Sequence, residues 1–310
     1  MSSLPRTFRF SATSLQDYVD CERRFQLRYL LQVAWPAPEA EPIDERERHA
    51  RLARDFHRLV HQHLLGIPAD TLSASVHDSD LERWWRAYLA YVPTLKSARV
   101  MPEVSLSIPL SEYRVVAQYD AIVVSGKLTA ESGVSQGSDR PPLLIIDWKT
   151  YRQRPSRAWL AQRLQTRLYP VILVQAGASL INQASIAPDD VEMSYWLAEY
   201  PHDAETFRYD VATYQADLDF LFTLIAEIGE RIKRTEDKPG PSSAALTDDA
   251  WPLTGDLKRC RFCNYRSLCG RGDVAGSLAD YVGDDAWPLT ADETGLDFDL
   301  DWGQVQEIVY

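Results

Sequence analysis

The stretch "LLIIDWKT" at residues 143–150 decides the fold. Four consecutive apolar residues are typical of a strand that is buried on both faces, and Asp147 and Lys149 follow them directly. Because alternate residues of a strand share a face, we expect the Asp147 and Lys149 side chains to project together from a rigid strand end. The alternative is a surface ion pair, since the D-x-K pattern alone is common.

A second acidic residue lies in the strand pattern that precedes this one. Asp120 stands within "YRVVAQYDAIVV" at residues 113–124, with apolar residues on both sides. A carboxylate in such a setting is costly to bury unless it is paired or binds a cation. Two carboxylates on adjacent strands can hold Mg2+ or Mn2+, and a nearby lysine can stabilise charge on a phosphate. The two strands therefore predict a site for metal-assisted phosphodiester hydrolysis.

Helical and strand patterns alternate outward from these two strands. Helices are predicted at 13–32, 44–66, 80–92, 155–177 and 214–234, and strands at 103–110, 113–124, 142–150, 191–200 and 206–211. Thr13 and Gln16 fit a capping box, and Pro170 predicts a bend in its helix. The order of elements predicts an α/β fold of the restriction-endonuclease-like kind, with a mixed central sheet flanked by helices.

The composition limits the possible environments and ligands. The chain has 310 residues, 45% of them hydrophobic, which is enough for one large core or two modest ones. No apolar run is long enough to cross a membrane, and the N-terminus has no apolar signal core, so we expect a cytoplasmic protein with no membrane partner. The net charge of −12 argues against a general polyanion binder.

The charge is unevenly distributed along the chain. The segment 272–310 carries ten acidic residues and no Lys or Arg, so the remainder has a net charge of −12 + 10 = −2. The basic residues form two clusters: Lys149, Arg152, Arg154, Arg157, Arg163 and Arg167, and then Lys258, Arg259, Arg261, Arg266 and Arg271. Such clusters can hold a phosphate backbone, or they can be solvated helix faces.

Three of the four cysteines lie in "KRCRFCNYRSLCGRG" at residues 258–272, with the spacing C-x2-C-x5-C. This spacing indicates a metal knuckle that lacks one ligand, because structural zinc and iron–sulfur sites usually have four. The heptapeptide "DDAWPLT" occurs at 248–254 and again at 284–290, on either side of the knuckle. Each copy is interpreted as a Trp-Pro turn that packs the knuckle region onto the body.

Further motifs complete a series that extends from residue 11 to residue 270. They comprise Ser11, Thr13, Leu15, Tyr18, Cys21 and Phe25, then His57, Asp120, Asp147 with Lys149, Gln165 with Tyr169, and the knuckle cysteines. In this order they resemble the PD-(D/E)XK nucleases of the RecB-like branch. The likeness is greatest to the iron–sulfur members, which include the CRISPR-associated exonucleases and AddB-type nuclease domains. Ala117 stands where that family has glycine.

The resemblance implies roles for the residues of the motifs. The metal site would comprise His57, Asp120, Asp147 and the carbonyl of Trp148. Lys149 would orient the attacking water, while Gln165 and Tyr169 would contact DNA or support Lys149. Glu103 is an expected outer carboxylate. DNA contacts are expected from Arg152, Arg154, Arg163 and Arg167.

The resemblance also supplies the missing fourth ligand of the knuckle. Cys21 would join Cys260, Cys263 and Cys269 on a 4Fe-4S cluster; the alternative is a zinc knuckle completed by Asp256 or Asp273. We expect one nuclease domain over 1–270. It would comprise a helical part at 1–100, a catalytic core at 101–210 and a helix with the iron–sulfur clasp at 211–270. An acidic tail at 271–310 would follow.

The function so implied is a metal-dependent DNA exonuclease that acts on ends or single strands in DNA repair, recombination or CRISPR-type defence. A helicase or a CRISPR adaptation protein is the expected partner, because the sequence contains no phosphate-loop motif for strand opening. Two alternatives remain open. One is a non-catalytic DNA-binding subunit of a helicase–nuclease complex, and the other is a zinc phosphohydrolase unrelated to nucleic acid.

Overall fold

A computed structural model describes residues 4, 8–34, 43–125, 143–236, 250–261 and 263–272 of the chain, with the backbone alone at 43–47, 235 and 236. Three features of the sequence lie outside the described residues. They are the polar loop before residue 143, the second copy of the heptapeptide and the acidic tail beyond Gly272.

The described residues build one six-stranded sheet. Its strands are β1 (Arg9–Phe10), β2 (Ala98–Leu110), β3 (Tyr113–Ser125), β4 (Leu143–Lys149), β5 (Val191–Leu197) and β6 (Glu205–Arg208). The order is β1-β3-β4-β5-β6, and β2 forms a long antiparallel pair with β3. The β3–β4 and β5–β6 pairs are antiparallel and the β1–β3 and β4–β5 pairs are parallel. The predicted mixed sheet is confirmed.

Helices precede, connect and follow the strands. They are α1 (Ala12–Asp20), α2 (Glu22–Phe25), α3 (Ile43–Leu64), α4 (Ala69–Ser73), α5 (Ser79–Tyr91), α6 (Arg157–Gln162), α7 (Leu164–Ala176), α8 (Val211–Glu236) and α9 (Leu257–Cys260), with a π-helical turn at Gln26–Leu30. The helices α6 and α7 connect the parallel strands β4 and β5. Among the described helices, none is long and apolar enough to cross a bilayer.

Strand β4 is buried on both faces, as its apolar run predicts. Leu143 and Ile145 belong to an apolar cluster that includes residues of α1, α7 and α8. Ile146 and Trp148 belong to a second cluster with residues of α3 and α5. Because alternate residues enter opposite cores, the backbone of β4 is packed on both sides. The positions of Asp147 and Lys149 at its end are therefore well fixed.

Two local predictions are wrong in detail. The capping box of α1 joins Ser11 to Ser14 instead of Thr13 to Gln16, since each serine side chain accepts a hydrogen bond from the other's backbone N–H. The predicted helix at 155–177 is interrupted at Arg163, whose ψ of 137° is extended, and α7 continues through Pro170.

Candidate active site

The Asp147 and Lys149 side chains lie together at the end of β4. Lys149 Nζ is 3.0 Å from Asp147 Oδ2, and the two side chains are 6% and 4% exposed. Both are therefore nearly removed from water, where an ion pair persists only if each partner compensates the other. The expectation that they share one face is confirmed.

Asp120 is held at the point where the main-chain ladder between β3 and β4 ends. The last paired residues are Ala121 and Ile146, and two residues further along β4 the N–H of Trp148 donates to Asp120 Oδ2 at 2.8 Å. His57 Nδ1 on α3 is 3.5 Å from Asp120 Oδ1. Burial raises the pKa of the Asp120 carboxyl, but His57, Lys149 and the Trp148 N–H outweigh it, and the pKa lies below its ordinary value. The carboxylate is thus ionised at neutral pH.

The register places three carboxylates side by side across β2, β3 and β4. Continuing the β3–β4 pairing by one residue brings Asp120 opposite Asp147, and Glu103 lies beside Asp120, between the Pro102–Ala121 and Val104–Tyr119 pairs. We call Glu103, Asp120 and Asp147 the carboxylate row. Because residues that oppose each other in a sheet point to the same face, the row concentrates negative charge where a cation would be needed.

Glu103 occupies a strained backbone position within this row. Its φ is +51°, a left-handed conformation that costs an ordinary side chain energy, and it lies in the middle of a strand. Its Oε2 accepts a hydrogen bond of 2.7 Å from Gln118 Nε2. Burial and the charge of Asp120 raise the pKa of the Glu103 carboxyl, so this residue and Asp120 are electrostatically coupled.

Helix α7 brings Gln165 and Tyr169 to the same region. Gln165 Nε2 donates to Asp147 Oδ1 at 2.5 Å, so Asp147 is held by an amide on one oxygen and by Lys149 on the other. The Tyr169 ring packs against Tyr119 with centroids 5.0 Å apart, and Tyr119 Oη donates to the Tyr169 carbonyl. In the described structure Gln165 therefore contacts the carboxylate row directly, while Tyr169 anchors the helix to β3.

Ala117 occupies its position without strain. It is buried and paired with Leu106 in the β2–β3 ladder, and its φ is not in the left-handed region. The extended backbone there suits any residue with a Cβ, so the alanine leaves the carboxylate row undisturbed.

Two of the four arginines expected to contact DNA are held by acidic side chains. Arg154 donates to Glu205 at 2.5 Å, and the same carboxylate accepts from Arg157 at 3.0 Å. Arg167 is 2.6 Å from Asp217 and lies over the Phe220 ring. A DNA phosphate would have to compete with these carboxylates.

The other two expected DNA contacts have aromatic or imidazole neighbours. Arg163 lies over the Trp159 ring, with its guanidinium carbon 4.7 Å from the centroid. Arg152 Nε donates weakly to His49 Nδ1 at 3.4 Å. Burial lowers the pKa of His49 to about 4, with a further contribution from Arg152, so His49 is a neutral acceptor at pH 7.

The four cysteines lie in one neighbourhood, which we call the cysteine clasp. Cys21 stands between α1 and α2 with an extended φ of −165°, and the other three lie around α9. Burial raises the pKa of the Cys269 thiol to about 11, and negative charge on Cys263, Cys21 and Cys260 adds to that rise. Arg259, next to Cys260, contacts Asp20, next to Cys21, so Cys21 lies on the side of the body that faces the knuckle although about 240 residues separate it from Cys260.

Aromatic and polar contacts fasten the knuckle to α1 and α2. Trp251, in the first heptapeptide copy, is fully buried, with its ring stacked 6.0 Å from Phe25 and set edge-on to Tyr18 at 6.2 Å. Tyr265 Oη donates to the Val33 carbonyl at 3.1 Å. This copy thus packs the knuckle region onto the body, as interpreted from the sequence.

The donor atoms of the carboxylate row and of the cysteine clasp are of types that bind metals. In the described structure their side chains are not arranged as a ligand set. Within the ranges that the structure describes, no three His, Cys, Asp or Glu side chains are arranged to hold one metal ion. At the carboxylate row, two aspartates and an imidazole match the preferences of Mg2+ and Mn2+. At the clasp, four sulfur donors match an iron–sulfur cluster or zinc.

A mixed sheet that carries Asp120 within β3 beside Asp147 and Lys149 at the end of β4 defines a restriction-endonuclease-like nuclease fold. A comparison with protein families agrees, because the model of the PD-(D/E)XK nuclease superfamily matches residues 9–270. The chain belongs to that superfamily. The matched range includes the six strands, the helices before and after β4, and the knuckle cysteines.

Two solved structures are similar to the chain at low identity. One, from Eubacterium rectale and provisionally named an exonuclease, is 11% identical, with a TM-score of 0.43 over 76% of this chain and 85% of that one. The other, SSO0001, is 12% identical, with a TM-score of 0.37 over 86% of this chain and 88% of that one. Among curated proteins no sequence matches. The superfamily assignment therefore rests on the family match.

Two features of the site have little signal in the sequence. The left-handed backbone of Glu103 follows "VMP" in an ordinary strand pattern, where no glycine or asparagine indicates a positive φ. The sequence pattern predicts a capping box of Thr13 with Gln16, yet the Gln16 side chain accepts a hydrogen bond from the backbone N–H of Leu164, 148 residues away. Because the capping box forms between Ser11 and Ser14 instead, the Gln16 side chain is left to bond elsewhere.

Proposed function

We propose that the chain is a metal-dependent deoxyribonuclease that hydrolyses phosphodiester bonds at DNA ends or in single strands. The pairing of a buried lysine with a buried aspartate beside a second, ionised aspartate carries the proposal. Lys149 and Asp147 are fixed at 3.0 Å, and Asp120 is fixed by the Trp148 N–H at 2.8 Å. Groups held this rigidly can stabilise developing charge without rearranging during the reaction.

The residues would divide the work as follows. Asp120 and Asp147, with His57 and the Trp148 carbonyl, would hold Mg2+ or Mn2+, which supplies positive charge to the scissile phosphate. Lys149 would hold the attacking water and donate to a phosphate oxygen. The water oxygen bonds to phosphorus, the bond from phosphorus to one sugar oxygen breaks, and that oxygen takes up a proton as the water loses one. Gln165 would keep Asp147 oriented.

The electrostatics of the row support a cation requirement. Asp120 is ionised, and its charge raises the pKa of Glu103, so carboxylates crowd together on one face. Lys149 and His57 offset part of that charge. A polyanionic substrate would be repelled from such a face unless a divalent cation intervened. Glu103 would act as an outer carboxylate in this arrangement.

We also propose that the clasp binds a 4Fe-4S cluster, as in the RecB-like iron–sulfur nucleases. The contact of Arg259 with Asp20 brings the chain at Cys260 toward Cys21, and burial raises the pKa of Cys260, Cys263 and Cys269. A metal would favour the thiolate forms that burial disfavours. Iron with acid-labile sulfide in anaerobically purified protein is the expected result, whereas stoichiometric zinc would contradict it.

The catalytic proposal is tested with Asp147→Asn and Lys149→Met. Each change keeps roughly the volume of the side chain but removes one charge, and each is expected to lower the cleavage rate by about 10²–10³-fold or more. The rate is measured on labelled linear DNA with Mg2+, with Mn2+ and with a chelator.

Glu192→Gln is the matched control. Glu192 is a buried carboxylate of the neighbouring strand β5, with Arg208 as partner at 3.3 Å and no role in the proposal. We expect this variant to cleave at close to the wild-type rate. Wild-type rates for Asp147→Asn or Lys149→Met would refute the assigned site.

Covalently closed circular DNA tests the preference for ends. The proposal expects degradation of linear single strands and of linear duplexes with frayed ends, while closed circles persist. Equal cleavage of circles and linear molecules would show an endonuclease, and the site residues would then serve that activity instead.

A further inference from the structure

Gln16 makes two buried hydrogen bonds that the proposed chemistry does not use. It lies on α1, where Gln16 Nε2 donates to Asp20 Oδ1 at 2.9 Å. Its Oε1 accepts from the backbone N–H of Leu164 at 3.0 Å. The side chain is thus a bridge from α1 to the first residue of α7.

The bond to Leu164 caps α7 from another helix. The first four N–H groups of a helix have no partner within it, and the N-cap residue of α7, Arg163, makes no side-chain capping bond. The neighbouring helix α6 is capped in the ordinary way, by Ser156 on the N–H of Trp159. Gln16 therefore performs for α7 what a local serine performs for α6.

The position of this helix end determines the geometry at the carboxylate row. Gln165 directly follows Leu164, and its side chain holds Asp147 at 2.5 Å. A hydrogen bond of that length tolerates little movement of its donor. When the N-terminus of α7 shifts, the amide of Gln165 moves with it, and Asp147 loses one of its two supports.

The other end of the bridge lies at the clasp. Asp20 is fully buried in its side chain, and besides Gln16 it binds Arg24 at 3.0 Å and Arg259. Arg259 directly precedes Cys260. A continuous series of contacts thus extends from the clasp through Asp20 and Gln16 to α7.

We propose that Gln16 is a positioning residue that couples the cysteine clasp to the carboxylate row. The series Arg259, Asp20, Gln16, Leu164, Gln165 and Asp147 is named the Gln16 relay. An intact clasp keeps Arg259 on Asp20, which holds Gln16 in the one orientation that caps α7. The inference deepens the proposed nuclease function and rests on it for its catalytic consequence, while the coupling itself is a property of the fold.

The first test compares Gln16→Leu with Gln16→Glu. Leucine removes the acceptor for the Leu164 N–H, and we expect kcat to fall about tenfold or more while KM changes by less than about twofold, since misplacement affects the chemical step. Glutamate keeps an acceptor for the Leu164 N–H but loses the donor to Asp20 and places a second carboxylate beside it, so its kcat should lie between those of the leucine variant and the wild type. Hydrogen exchange at the Leu164 amide should accelerate in the leucine variant alone.

Ser156→Ala is the matched control, because it removes one capping bond from the neighbouring helix. Its kcat and its Leu164 exchange should stay at wild-type values. Equal losses of kcat in Gln16→Leu and Ser156→Ala would reduce Gln16 to a structural residue. Unchanged exchange at Leu164 in Gln16→Leu would overturn the capping role.

A second pair of variants tests the coupling to the clasp. Arg259→Gln removes one of the two guanidinium groups that hold Asp20, the one that comes from the clasp, and it should accelerate Leu164 exchange, whereas Lys258→Gln, one residue earlier, should not. Wild-type exchange in Arg259→Gln would refute the coupling even if Gln16→Leu does not fold. If the wild type cleaves no DNA, the proposed function is wrong. The exchange rates at the Leu164 amide still show whether the Gln16 relay exists.

Discussion

The carboxylate row and the cysteine clasp both unite residues that are distant in the sequence, but different forces hold them. The row stands on three neighbouring strands, whose main-chain pairing brings the three carboxylates beside one another. The clasp stands on a four-residue helix, turns and a helix junction, and its fastening comes from side chains such as Trp251 and Tyr265.

This difference predicts different dependences on bound ligands. A row that the sheet positions stays assembled without a metal, because its carboxylates are already paired with Lys149, Gln165 and the Trp148 N–H. At the clasp, burial raises the pKa of Cys260, Cys263 and Cys269, so the proposed cluster would supply much of the order of this region. Four predictions test this contrast.

The largest effect is expected from the cysteines. A cross-link between Cys21 and Cys260 closes a loop of about 240 residues, which the loop-entropy model values at about 5 kcal/mol. Cys21→Ala and Cys263→Ala should therefore lose metal and soluble protein to the same extent, as measured by iron content and by denaturant unfolding. Ser267→Ala, in the same turn as the knuckle, is the control and should keep both.

The comparison fails if Cys21→Ala keeps its metal and its stability while Cys263→Ala loses both. It would mean that the knuckle is a local zinc site completed by a nearby residue such as Asp256. The clasp would then be held to the body by side-chain contacts such as those of Trp251, Tyr265 and Arg259.

The next effect is expected from Trp251. Its ring is fully buried against Phe25 and Tyr18, and truncation to alanine leaves a cavity at the junction of clasp and body. We expect Trp251→Ala to lower the free energy of unfolding by about 3–5 kcal/mol. Phe222→Ala, which truncates an aromatic ring that is half exposed on α8, should cost less than about 0.5 kcal/mol. Similar costs for the two variants would mean that Trp251 does not fasten the clasp.

A smaller effect is expected from the strain at Glu103. Because its φ is +51°, Glu103→Gly should be more stable than Glu103→Ala by about 1 kcal/mol in denaturant unfolding. Ser111, in the β2–β3 turn with a φ of +56°, should show the same order of glycine over alanine. Only the Glu103 variants should lower DNA cleavage. If no Glu103 variant alters the cleavage rate, the left-handed backbone at Glu103 has no role in the active site.

The smallest effect is expected from Glu205. It holds Arg154 and Arg157 at the surface, where such pairs contribute less than about 1 kcal/mol to stability. Glu205→Gln should leave the free energy of unfolding nearly unchanged and tighten DNA binding about threefold at low salt, because two guanidinium groups become available to phosphate. Glu112→Gln, which frees Lys233 instead, is the control. An unchanged affinity in Glu205→Gln would place both arginines away from the DNA.

The fold and the chemical core of the site were readable from local pattern. The apolar run 143–146 predicted a strand buried on both faces, and its period of two predicted that Asp147 and Lys149 share a face. Asp120 was recognisable because a charged residue within apolar neighbours requires a partner. These features depend on residues close in sequence, and the strand geometry alone relates them.

The arginines expected to contact DNA show where local pattern is insufficient. A cluster of basic residues at 152–167 says nothing about the acidic residues that lie beside it in space. Glu205 of β6 forms an ion pair with Arg154, and Asp217 of α8 forms one with Arg167. Both acidic residues come later in the sequence than the arginines. Whether a surface charge is available to a ligand depends on such neighbours, which only folding assembles.

By itself, the sequence determined the alternation of helices and strands, the acidic residue within β3, the Asp-x-Lys pair at the end of β4 and the number of thiols. Tertiary structure alone decided the left-handed backbone at Glu103, the partners of the arginines and the capping of α7 by Gln16. The physical reason is that periodicity and burial act between near neighbours, whereas hydrogen bonds such as that of Gln16 to Leu164 join groups 148 residues apart. Their geometry exists only once the sheet and both cores have formed.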